Sequence, residues 1–93
     1  MVFVVLVHYT QPLAAVDAVR AAHLAHVERY AREGIFHAWA RRDPPAGGVL
    51  VAVVPDRGSL DAIVARDPYV LAGVARAEVV AFNPVNVRGA LGT

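Results

Sequence analysis

The chain has 93 residues, nine arginines, no lysine, eight acidic side chains and a net charge of +1, too little charge bias to attract nucleic acid. The absence of cysteine removes disulfides, thiolate chemistry and cysteine-ligated metals, and the absence of lysine removes Schiff-base catalysis through a side-chain amine. The 57% hydrophobic content is more than one small domain buries, so a single domain over residues 1–93 that forms a homodimer is expected.

The arginine excess, beside so much alanine and valine, reads as codon usage in a GC-rich genome. No run approaches the roughly 18 apolar residues of a membrane span. Val2 to Val7 is too short for a signal peptide, with no basic segment before it. A cytoplasmic protein with no membrane partner is expected.

Val2 to Tyr9 is almost continuously β-branched and aromatic, which predicts a strand covered on both faces. Gln11-Pro12 interrupts it and opens a helical pattern that runs to Glu33, where Gly34 supplies a left-handed cap. Ile35 to Arg41 alternates as a strand, with Ile35, His37 and Trp39 on one side. The turn cluster Asp43 to Gly48 leads to a strand over Val49–Val54, and the short link predicts a hairpin. Ser59 is the expected N-cap of a second helix carrying Leu60, Ile63 and Val64. Asp67-Pro68 breaks that helix, and Tyr69 to Val74 forms one further turn ending near Gly73. Glu78 to Phe82 is the last strand, ended by Asn83-Pro84, and residues 84–93 form a C-terminal extension. The order β-α-β-β-α-β is ferredoxin-like: α+β, with a four-stranded antiparallel sheet and two helices on one face. The bare face then invites a second subunit, giving a dimeric α+β barrel joined through its sheets.

One side chain breaks the helical pattern. Val16, Val19, Val27 and Tyr30 form an apolar stripe at 100° per residue, and His23 lies in its middle with Arg20 on its flank. An inward polar group without a partner costs about 2–7 kcal/mol, so a carboxylate or a solvated pocket must face His23.

Arg20-x-x-His23-Leu24, Gly34 and Asp67-Pro68-Tyr69-Val70-x-Ala72-Gly73-Val74 together resemble the YciI-like (YCII-related) family over nearly the whole chain. The Asp-Pro-Tyr segment before the last strand is the more specific motif. The resemblance implies a dimeric ferredoxin-like barrel, related in shape to muconolactone isomerases, with a His–Asp pair in a cleft. One branch of the family dehydrochlorinates a chlorinated hydroxyquinol. The matching positions here are His23 and Asp67. Where the family carries Gly-Pro at the end of the second strand, this chain has Ala40-Arg41, near the expected mouth of the cleft.

Each candidate also has a structural reading. Histidine as a residue type suits proton transfer near neutral pH, which makes His23 a candidate, yet core histidines are also satisfied by carbonyls or tyrosines. Asp67 before Pro68 is a good turn former, a role compatible with catalysis. Arg20 either clamps an anionic substrate or pairs with Asp67, and the pair is favoured as the ordinary fate of a half-buried arginine. His8, at the end of the first strand, is expected to reach the cleft, whereas His26 and His37 read as packed or surface groups. Trp39 and Tyr69 line a pocket or fill the core. His23 and His26 are spaced i, i+3 without the HExxH context of a metal site, so no metal is expected. The lone serine and the missing Gly-x-Ser-x-Gly elbow argue against a serine hydrolase.

The leading functional expectation is a small cofactor-independent enzyme. His23, oriented by Asp67, moves a proton in an elimination or isomerisation of a small aromatic or enol-like molecule held between helix and sheet. Arg20, His8, Tyr69 and Trp39 are the expected substrate-binding residues. The alternative is a non-catalytic small-molecule-binding or accessory module whose His–Asp pair is structural. A third, weaker reading is a cofactor-independent monooxygenase of the same barrel shape.

Overall fold

Strands β1 (Val2–Tyr9), β2 (Phe36–Arg41), β3 (Gly47–Val53) and β4 (Ala75–Phe82) form one antiparallel sheet of order β2-β3-β1-β4. The structure, a computed structural model, describes residues 1–83. The expected C-terminal extension over 84–93 lies outside the described residues.

The period-2 alternation of β1 decides which face becomes the core. Phe3, Val5 and Val7 are buried under the helices, while Val2, Val4 and Leu6 are half-buried on the outer face. Fully burying such a side chain contributes about 1.5–3 kcal/mol. The inward residues meet Val16, Val27, Tyr30, Leu60 and Ile63 from the helices. On the outer face, Val4 sits in register between Val51 and Val80, and Val2 between Val53 and Phe82. Apart from His8, Arg76 and Glu78 toward one end, that face is apolar, and no helix or strand among the described residues covers it.

Helices α1 (Leu13–Asp17), α2 (Arg20–Arg32), α3 (Arg57–Ala65) and α4 (Pro68–Leu71) complete the β-α-β-β-α-β order. The helix expected to run unbroken to Glu33 is divided at Ala18-Val19. β-branched Val19 stays right-handed but is stretched to φ −107°, ψ −4°, and its N–H donates three residues back to the Val16 carbonyl. The stripe survives the break: Val16, His23, Val27 and Tyr30 are all buried. Gly34, at φ +82°, caps α2 as expected.

Ser59 is not the N-cap of α3. Asp56 is extended (φ −155°, ψ 164°) and its carboxylate accepts the Ser59 N–H at 2.7 Å, which places Ser59 inside the first turn. Two strands start earlier than expected. Strand β3 includes Gly47, where a Cβ would lie 1.8 Å from the Val7 carbonyl oxygen, so only glycine allows this strand contact. Strand β4 begins at Ala75 rather than Glu78, because pairing with Tyr9, His8 and Val7 of β1 outweighs the weak β-propensity of alanine.

The expected side-chain alternation of the second strand is also corrected. A β-bulge between Phe36 and Ala38 sets two residues against one, so Phe36, Trp39 and Arg41 share the helix side, opposite Ala52, Leu50 and Gly48. None of the helices in the described residues is long and apolar enough to cross a membrane.

Candidate active site

The site begins with α2 and the short turn before α4. The buried stripe directs His23 inward, and Asp67 reaches it from the N-cap of α4. Pro68 occupies the first turn of that helix, and the residue before a proline favours extended backbone; Asp67 has φ −60° and ψ 128°. In this conformation Asp67 Oδ1 accepts the Tyr69 N–H at 2.9 Å. The turn-forming role of Asp-Pro-Tyr is therefore real, and the same geometry aims the carboxylate at the histidine.

His23 Nδ1 lies 2.8 Å from Asp67 Oδ1 and 2.9 Å from Oδ2, with both side chains buried. A carboxylate at that nitrogen assigns it the proton, so Nδ1–H donates and Nε2 carries the lone pair of the neutral ring. Nε2 has no hydrogen-bond partner among the described residues, yet no buried side-chain nitrogen is left unsatisfied there, so Nε2 is open to solvent. The Tyr69 ring stacks on the imidazole at 3.9 Å between centroids and 7° between planes, which fixes the ring's orientation. Burial, and next the neighbouring Tyr9, push the Tyr69 hydroxyl up to about 12, with Arg41 acting in the opposite sense. Tyr69 thus stays a neutral phenol at physiological pH.

His23 forms part of the wall of a cavity of about 240 Å³ between α2 and the sheet. Val7, Leu24, Leu50 and Trp39 give it apolar walls; Tyr9, Arg20, Arg41 and Tyr69 give it polar ones. An apolar cavity of about 150 Å³ takes up benzene, so this one accepts a single substituted ring.

Of the expected residues, the structure brings His23, Asp67, Tyr69, Trp39 and Arg20 together. His8 is not among them. It lies on the outer sheet face, where its Nε2 meets Glu78 Oε1 at 3.0 Å, because the alternation that sends Val7 inward sends His8 outward. The expected Arg20–Asp67 pair does not form. Asp67 is already engaged by the imidazole and the Tyr69 amide, and Arg20 stays exposed on the cavity side, with no ion pair among the described residues. His26 is half-buried against the Ile63 carbonyl at 3.0 Å, and His37 bonds the Gly34 carbonyl at 2.9 Å. No group of three or more His, Asp or Glu side chains among the described residues is placed to hold a metal ion.

Sequence reasoning missed Arg41 and Tyr9. Arg41 Nε donates to the Tyr9 hydroxyl at 3.0 Å, its Nη2 pairs with Asp17, and its guanidinium lies 5.6 Å from the Tyr9 ring centroid. The signal was present, since Ala40-Arg41 stands where the family carries Gly-Pro, near the expected cleft mouth. The direction of Arg41 depended on the bulge, which no residue pattern announced.

No protein of curated function matches the chain. In shape it is similar to 5-chloro-2-hydroxyhydroquinone dehydrochlorinase from Burkholderia phenoliruptrix in complex with 2,5-dihydroxybenzoquinone, with a TM-score of 0.72 at 19% identity over 89% of this chain and 94% of the other. It is equally similar to muconolactone isomerase, with a TM-score of 0.72 at 21% identity over 96% and 97%. An antibiotic biosynthesis monooxygenase follows at 0.60 and 23% identity over 92% and 100%. At these identities the likeness is one of fold. The YCII-related domain matches residues 1–83, and the chain belongs to that family.

Proposed function

We propose that this protein is a small, cytoplasmic, cofactor-independent enzyme in which His23 transfers a proton during elimination or isomerisation of a ring-sized aromatic or enol-like molecule. The observation that supports it best is the pairing of Nδ1 with Asp67 while Nε2 stays open beside the cavity. A base whose second nitrogen is held by a carboxylate keeps one tautomer and is stabilised when it takes up the proton. Tyr69 holds the imidazole plane, and Trp39, Leu24 and Val7 offer apolar contact to a ring. The dehydrochlorinase and the muconolactone isomerase that share the fold support this reaction class.

The same reading takes the working form as a homodimer joined through the outer sheet faces. The apolar surface of Val2, Val4, Leu6, Val51 and Val80 supports it.

The test is turnover of 5-chloro-2-hydroxyhydroquinone, followed by chloride release, and of muconolactone, followed by isomerisation. Activity on either that falls roughly 100-fold or more in His23→Asn and Asp67→Asn is the expected result. Activity that survives both substitutions, or no turnover of either probe, overturns the reading. A second reading, a non-catalytic binding module, is favoured by one observation: Asp67 also caps α4 through the Tyr69 amide. It predicts ring binding without turnover.

A further inference from the structure

The cavity wall contains two guanidinium groups, Arg20 and Arg41, and no carboxylate. Two acids that touch its lining residues are already engaged. Asp67 holds the imidazole and the Tyr69 amide, and Asp17 pairs with Arg41 from α1. Arg20 has no ion pair among the described residues, although it sits one helical turn before His23 on the same side of α2. Arg41 uses its Nε on Tyr9 and its Nη2 on Asp17, which leaves donors of its five N–H groups unspent. A cavity with apolar walls, excess positive charge and a proton acceptor at His23 Nε2 discriminates by charge as well as by shape.

We infer that the ligand of this cavity is a planar organic monoanion, its delocalised oxyanion docked on Arg20 and Arg41 and its ring against Trp39 and Leu24. This assignment rests on the proposed site and supplies its substrate class. Two oxyanions share the required chemistry: a carboxylate on the ring, or an ionised phenol or enol of the ring itself. Both accept paired hydrogen bonds from a guanidinium fork. Docked there, the ligand presents its ring to His23. A negative charge in the ligand also favours the imidazolium that forms when Nε2 takes the proton. Asp17 is the internal counter-ion that competes with the ligand for Arg41.

Calorimetric binding of benzoate, 4-nitrophenolate and neutral benzamide to the full chain tests this. At least one anion is expected to bind about tenfold or more tightly than benzamide, and its advantage is expected to shrink with added salt. Stronger benzoate binding assigns the carboxylate, and stronger 4-nitrophenolate binding assigns the ionised phenol or enol. Arg20→Gln changes an exposed residue, so the fold persists, and it is expected to remove most of that advantage. Asp17→Asn is expected to increase it by freeing Arg41. The preference is expected to remain in His23→Asn, so a failure of the proton-transfer reading leaves it intact. Benzamide binding as tightly as both anions, an anion advantage unchanged in Arg20→Gln, or no binding by any of the three overturns the inference.

Discussion

Removing the His23 imidazole distinguishes a working site from a structural pair. In His23→Ala, Asp67 keeps its bond from the Tyr69 amide but loses the partner of both carboxylate oxygens. A buried charge stripped of its partner costs about 3–5 kcal/mol when nothing else solvates it. Loss of the stacked Tyr69 contact adds about 0.5–1.5 kcal/mol. Here the deleted ring formed part of the wall of an open cavity, so water enters the space it leaves and solvates Asp67 from that side. The expected net loss is therefore about 1–2 kcal/mol, below that of a sealed pair. For a chain of this length that is a Tm decrease of roughly 4–16 °C.

The assay is urea denaturation of the wild type, His23→Ala, Asp67→Asn and a control, Leu60→Ala. Leu60 is fully buried, and its truncation is expected to cost about 2–5 kcal/mol. Asp67→Asn keeps an acceptor for the Tyr69 amide and therefore the cap of α4, so its loss reports on the pair alone. If His23→Ala and Asp67→Asn each lose as much as the core control, the carboxylate is sealed from water. The pair is then a structural one, and the catalytic assignment fails.

Two further outcomes follow from the geometry. Val4→Asp, on the outer sheet face, is expected to leave the fold intact and convert a dimer to monomer in analytical sedimentation, whereas Val5→Asp, in the core, is expected to prevent folding. A wild-type chain that sediments as a monomer refutes the sheet-face dimer. His26 is held below its ordinary value of 6.5, first by burial, with His23 and Arg29 acting in the same sense against the Asp67 charge and the bond to the Ile63 carbonyl. The unfolded chain then binds a proton more readily than the folded one, so the contribution of His26 is complete above about 6.5 and is lost as pH falls through the lower folded value. Stability curves of wild type and His26→Gln that fall in parallel on acidification refute this.

The fold was legible because its signals are redundant. The continuous β-branched run of β1, the Gly34 cap and the apolar stripe of α2 each specify an element alone, and their order leaves few topologies. The inward position of His23 followed from helical spacing, and its need for a partner from the cost of burying a polar group. The partner itself was legible only through the Asp-Pro-Tyr motif, because the turn that aims Asp67 is a backbone conformation. The strand misreadings have two causes. His8 follows the unbroken alternation of β1, which sends it outward once Val7 faces the core, whereas in β2 a one-residue change of phase moves each later side chain to the other face of the sheet. The bulge at Phe36/Ala38 supplies that change in β2, and nothing in the residue types around His37 marks it. The favoured Arg20–Asp67 pair failed for a different reason. Both carboxylate oxygens are already claimed by the His23 ring and the Tyr69 amide, which residue spacing alone does not count.

Strand β1 links the proposed chemistry to the proposed assembly. Its inward residue Val7, and Tyr9 at its end, line the cavity, while Val4 and Leu6 on its other face lie in the apolar surface left uncovered. Those two sets alternate on one backbone, so a partner sheet packed on the outer face fixes the cavity wall that the inner face presents. Arg41 is subject to the same constraint, since its guanidinium bonds the Tyr9 hydroxyl at the end of β1. A domain of this size has little interior, so the proposed interface adds burial that the core of one copy cannot supply. Burying the second side lets a single layer of strands serve as both an interface and the floor of a site, with the helices free to carry His23 and Asp67 above it.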